Sequence, residues 1–110
     1  METLSLDQIQ VEMELGNMTP GRAADLMVIV SAKYGRACDE YVAKDAEYAR
    51  EFHKLRPDMK SVAETERALD SKELGISRTY WKYQTRKAEM MMKALNSLIY
   101  LRTAEAKSQV

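Results

Sequence analysis

After Gly75 the chain runs to Val110 without another glycine or proline, and that stretch constrains the fold more than any other. Within it Trp81, Ala88, Met91, Leu95, Leu98 and Arg102 are spaced seven, three, four, three and four apart. One narrow stripe of a helix is therefore mostly apolar along its length. At about 1.5 Å per residue, a helix over 77–107 is roughly 46 Å long, more than the width of a compact domain of this size. A rod of that length needs a partner of similar length, so the rest of the chain must supply one or a second chain must.

The earlier segments read as helices with their own start and stop signals. Ser5 with Gln8 three residues on is a capping-box pattern ahead of Leu6, Ile9 and Met13, which share a helical face, and Gly16-Asn17 is a natural stop. A helix over about 5–16 is too short to hold itself together in water and must pack on something. Thr19-Pro20 opens a second helix, about 20–55, with a capping hydroxyl and a proline whose fixed φ suits the first helical position. Along it Met27, Val30, Tyr34, Ala37 and Tyr41 run at 3-4-3-4 spacing, and Tyr48, Phe52 and Leu55 resume the stripe. A second edge of Ala23, Leu26, Cys38, Val42 and Ala49 widens it, so this helix is expected to touch more than one neighbour. Gly35 beside Tyr34 either lets another helix approach closely or weakens the middle of the rod.

Arg56-Pro57-Asp58 ends the second helix, because the residue before proline is pushed out of the α region. Ser61 and Glu64 form another capping box and open a charged connector helix, about 61–73, carrying Val62 and Leu69. Gly75 is expected to end this connector and Ser77 to cap the closing helix, with a helix continuous through Glu73 as the alternative. The expected fold is all-α, in one domain over 1–110: a long antiparallel helical hairpin with a short N-terminal helix and a short connector helix, pairing into a helical-bundle dimer. Dimerisation would relieve the thin core of so short a chain.

Seventeen basic and seventeen acidic residues cancel, which removes the overall positive field of a non-specific DNA coater. The split along the chain is uneven. Residues 1–18 hold Glu2, Asp7, Glu12 and Glu14 with no Lys or Arg, whereas 78–110 hold seven basic residues against Glu89 and Glu105. An acidic first helix lying along a basic last one, within one chain or between two, is the simple reading. The lone Cys38 excludes an internal disulfide and suits a reducing compartment; with no signal peptide and no membrane-length apolar run, a bacterial or infected-cell cytoplasm is expected, with no membrane partner.

Catalytic chemistry finds little to work with. His53 and Cys38 lie fifteen residues apart, roughly 22 Å along one helix, so they cannot share a metal within one chain. Asp39, Glu40, Asp45, Glu47 and Glu51 are interleaved with Lys44, Arg50 and Lys54, as on a salt-bridged solvent face. No nucleophile stands beside a base, the glycines are isolated, and no metal, cofactor or catalytic residue is assigned; a non-enzyme is expected. Binding features are clearer. Arg78, Lys82 and Arg86 form a basic ridge interleaved with Tyr80, Trp81 and Tyr83, and Lys93 extends it. With Trp81 these are candidate contacts for nucleic acid or for an acidic protein. The competing reading turns the aromatics inward and sets the ridge against the acidic first helix or the acidic face around Asp45 and Glu47. Met90-Met91-Met92 point in separate directions around the helix, so at least one leaves any single partner. Methionine suits adaptable protein surfaces, and the candidate protein interface is Met27, Val30, Tyr34, Tyr41, Met90, Met91, Met92, Leu95 and Leu98.

The run from Thr19-Pro20 through Ala23 to Leu26, the charged connector, and the closing Lys93 to Arg102 together resemble small helical accessory proteins encoded by tailed bacteriophages. That resemblance implies a phage accessory protein expressed with replication, recombination or counter-defence functions. The absence of a catalytic constellation, with more apolar edge than one hairpin can bury, points to an adaptor or inhibitor acting on a host or phage protein that processes nucleic acid. Direct DNA or RNA binding in replication or recombination, and a structural virion or scaffold role, stay open beside it.

Overall fold

The computed structural model describes residues 4–108. Among them are four α-helices, α1 (Leu6–Glu14), α2 (Pro20–Leu55), α3 (Val62–Asp70) and α4 (Glu73–Ser108), with a single 3-10 turn at Arg56–Asp58 after α2. The all-helical expectation is met, and the two long helices pack on each other. The chain forms two compact units, one from the described residues up to Gly35 with those from Arg86 onward, the other from Arg36–Thr85. Helices α2 and α4 each contribute to both.

Local chemistry explains where the helices start. The Ser5 hydroxyl accepts from the Gln8 amide at 3.1 Å and the Ser5 amide donates to Gln8 Oε1 at 2.8 Å, closing the capping box of α1. Helix α1 ends at Gly16, whose φ of +78° lies in the left-handed region that favours glycine. Thr19 Oγ1 accepts from the Arg22 amide at 3.1 Å, with Pro20 in the first helical position. At α3 the Ser61 hydroxyl accepts from the Glu64 amide at 3.1 Å, while the Glu64 carboxylate reaches one residue further back, to the Lys60 amide.

In the first unit α1, the start of α2 and the second half of α4 enclose one core: Leu6 and Ile9, then Met18, Ala23, Leu26 and Val30, then Ala88, Met91 and Leu95. The seam between α2 and α4 uses small residues, Ala23 and Ala88, which let the backbones approach closely. Fully burying each of Ile9, Leu26 and Leu95 contributes about 1.5–3 kcal/mol relative to exposure, and this is what holds the nine-residue α1 in place. The second apolar edge of α2 is covered only at its start: Ala23 and Leu26 are buried, while Val42 and Ala49 are exposed.

In the second unit Arg36 of α2 meets Trp81 of α4 and Tyr48 of α2 meets Arg78, so the two helices run antiparallel. The connector α3 buries Leu69 and Thr65, while Val62 stays exposed. Thr65 avoids an unpaired buried hydroxyl by donating to the Ser61 carbonyl at 2.9 Å. The junction after α3 departs from expectation. Only Ser71 and Lys72 separate α3 from α4, and Gly75 lies inside the first turn of α4 instead of ending the connector. A Cβ at Gly75 would stand 2.3 Å from the Leu69 carbonyl oxygen and 2.6 Å from the Asp70 Cα. Glycine here allows one helix end to press on another, a requirement that looks in sequence like a stop signal.

Gly75→Ala is therefore expected to destabilise the fold. Overpacking against backbone costs about 1–3 kcal/mol, more than the roughly 1 kcal/mol alanine gains in helix propensity. Gly35, where nothing stands within 4 Å of an added Cβ, is the control. Gly35→Ala should stabilise by up to about 1 kcal/mol in urea unfolding, opposite in sign to Gly75→Ala.

Candidate functional site

The residues singled out by sequence do not form one surface, because α4 turns them to different sides. Its buried row, Ser77, Trp81, Gln84, Ala88, Met91, Leu95, Leu98 and Arg102, is fully or half buried throughout. Of the interface candidates in the first unit, Val30, Met91 and Leu95 are inside the core of their own chain, and Met27, Tyr34, Met92 and Leu98 pack against it. Met90 alone of the three consecutive methionines faces out, 70% exposed. Tyr41, in the second unit, is half-buried beneath Arg78.

Arg78 is held within its own chain. Its Nε donates to Asp45 Oδ1 at 2.7 Å, and its guanidinium lies 4.4 Å from the centroid of the Tyr48 ring and 5.9 Å from that of Tyr41. Tyr41, Asp45 and Tyr48 sit at i, i+4 and i+7 on α2, so one face of that helix supplies both rings and the carboxylate. The Tyr48 hydroxyl in turn donates to Asp70 Oδ1 at 2.9 Å, carrying the network into the end of α3. Burial, then this hydrogen bond, pushes the Tyr48 phenol up to about 12. Trp81 is half-buried, with the Arg36 guanidinium 5.8 Å from its ring centroid and the Tyr80 ring edge-on at 5.1 Å. The ridge is thus divided. Arg78 and Trp81 join helices, Lys82 is half-buried, and Arg86 and Lys93 are exposed. Lys93 Nζ stands 3.5 Å from Glu89 one turn earlier, whereas Arg86 has no ion pair among the described residues.

The acidic first helix does lie along the basic last one within a single chain. Lys87 pairs with Asp7, and Arg102 donates to the Gly16 carbonyl at 3.0 Å, so α1 runs parallel to this part of α4. Glu12 goes instead to α2, where Arg22 holds it by two bonds of 2.6 and 3.0 Å. The Arg22 hydrogen bond keeps the Glu12 carboxyl below its ordinary value, so this link holds at neutral pH and weakens as pH falls through the acid range.

A feature missed in sequence is a second row on α4, beside the buried one. Met90, Ala94, Ser97 and Leu101, at 4-3-4 spacing, are all exposed. In the second unit the same helical register gives Ile76, Tyr80 and Tyr83, exposed as well. The signal was the repeated spacing; alanine and serine within it hid the row from an apolar count. Among the described residues no group of three or more His, Cys, Asp or Glu could hold a metal ion, and no helix is long and apolar enough to cross a membrane. No family model, curated protein or solved structure matches the chain.

Two substitutions separate the structural arginine from the exposed one. Arg78→Ala should cost about 1–2 kcal/mol in urea unfolding, from the lost ring stacking and a partly exposed ion pair, and Arg86→Ala less than about 0.5 kcal/mol. The alkaline limb of stability carries the mark of Tyr48. A phenol raised on folding contributes stability that is full below the unfolded value and is lost as pH rises from about 10 to about 12. Tyr48→Phe should flatten that decline relative to the parent chain when unfolding is followed from pH about 9 upward.

Proposed function

We propose that the chain is a non-enzymatic accessory protein of the tailed-phage type, an adaptor or inhibitor that binds a protein which processes nucleic acid and modulates it. The observation that carries this reading is that α4 has two rows at coiled-coil spacing, one taken up by its own core and one, with Met90 and Leu101, turned outward. A helix needed only for its own hairpin requires the first row alone. The core of the first unit closes on α1, α2 and α4 of one chain, which leaves the outward row for another polypeptide.

Direct binding of DNA or RNA is the second reading, favoured by Arg86, exposed and without an ion pair among the described residues. Against it, Arg78 and Trp81 are engaged with α2. Light scattering at low and moderate salt, with and without a mixed oligonucleotide, separates the two. The expected result is a mass indifferent to the oligonucleotide, with a stoichiometric complex and altered activity when the chain is added to its target among purified phage and host nucleases, helicases and polymerases. A mass that rises with oligonucleotide and falls back with salt transfers the function to the nucleic acid itself.

A further inference from the structure

Helix α1 lies in a groove between α2 and α4 that is longer than α1 itself. The groove is walled by Ala23, Leu26 and Val30 of α2 and by Ala88, Met91 and Leu95 of α4. At its rim Lys87 of α4 meets Asp7, and Arg22 of α2 meets Glu12. From Lys87 to Arg102, which reaches the Gly16 carbonyl, α4 advances fifteen residues, about 22 Å, whereas the nine residues of α1 span about 13 Å. Leu98 and Ile99, toward the far end of that stretch, pack on the core but stay half-buried.

The cover is also weakly fastened. Only Leu6 and Ile9 of α1 are buried, and a helix of nine residues has no stability of its own. The two ion pairs at the rim are partly exposed, and such pairs hold little. In the turn after α1, Gly16 and Asn17 are exposed, with Gly16 in the left-handed region, while Met18 is buried and Thr19 caps α2. Helix α1 can therefore swing at Gly16 and leave the start of α2 in place. Helices α2 and α4 also meet at Arg36 with Trp81 and at Arg78 with Asp45, contacts that involve no residue of α1. Segments held by few buried contacts are the first to open. We propose that α1 is a displaceable cover, and that the groove beneath it receives an acidic amphipathic helix of a partner protein, built like α1 but longer. The groove reads apolar residues at the Leu6, Ile9 and Met13 positions and carboxylates at those of Asp7 and Glu12. One added turn covers Leu98 and Ile99, so such a helix buries more than α1 does, which is the condition for displacing it. The inference rests on the protein-binding reading above and adds a second, regulated surface to it.

The test uses the full chain throughout. In native-state hydrogen exchange the α1 amides should open together and be at least about tenfold less protected than those of Val30 and Leu95. Leu6→Ser with Ile9→Ser alters the cover and leaves the groove intact, giving an opened chain. Two labelled, stapled four-turn helices carry the apolar seam of α1, one with carboxylates at the Asp7 and Glu12 positions and one with lysines there. By fluorescence anisotropy the acidic helix should bind the opened chain at least about tenfold more tightly than it binds the parent chain, and at least about tenfold more tightly than the lysine helix does. Arg22→Glu with Lys87→Glu in the opened chain should invert that preference. Equal binding by parent and opened chains, a preference that survives the charge reversal, or no binding overturns the proposal. So does an α1 that exchanges only with the core, or an opened chain that loses protection at Val30 and Leu95, since α1 is then an inseparable part of the fold. A parent chain that forms dimers split by Leu6→Ser with Ile9→Ser overturns it too, by making α1 of a second copy the occupant. A chain that fails these tests yet binds a nucleic-acid-processing protein keeps the protein-binding reading and loses the cover.

Discussion

Everything in this fold depends on the seam between α2 and α4, since two long helices of mixed polarity have no stability apart from what they bury on each other. Alanines at the seam allow close approach, and larger residues on either side, Leu26, Val30, Met91 and Leu95, fill the core around it. The two units solve the remaining exposure differently. In the first, α1 closes an apolar core. In the second, aromatic rings and a guanidinium take the place of aliphatic packing: Tyr41, Tyr48 and Arg78 bring α2 and α4 together through stacking, with Asp45 and Asp70 fixing the polar ends.

Charge plays a similar organising part. The net charge is zero, but the acidic start of the chain is set against basic groups drawn from two different helices, α4 through Lys87 and α2 through Arg22. Such partly exposed pairs add little energy individually. Their value is directional: with Arg102 on the Gly16 carbonyl they fix the angle and end of a helix too short to specify its own placement.

Much of this was legible in the sequence because it is local. The caps at Ser5, Thr19 and Ser61 and the break at Pro57 are chemistry between residues a few positions apart, and the structure reproduces them. What could not be read depends on residues brought together from afar. Gly75 has the form of a terminator in sequence, because nothing nearby says that the end of α3 will press on it. Arg78 matched a nucleic-acid ridge as well as it matched the acidic face of α2, and only the angular register of α4 decides between them. Thr65 is a polar residue in a charged connector, yet its hydroxyl closes on its own helix and lets the side chain be buried. The outward row of α4 is inconspicuous in sequence because Ala94 and Ser97 interrupt its larger hydrophobes.

The contact at Gly75 works as an indexing mark for the start of α4. Advancing the helix by one residue would rotate it by about 100° and bring the side chain of Leu74 or Ile76 to the place where the Leu69 carbonyl leaves room only for a hydrogen atom. The register that satisfies this contact is also the one in which Arg78 falls between Tyr48 and Asp45. A missing side chain thereby decides which way a charged one, three residues later, must point.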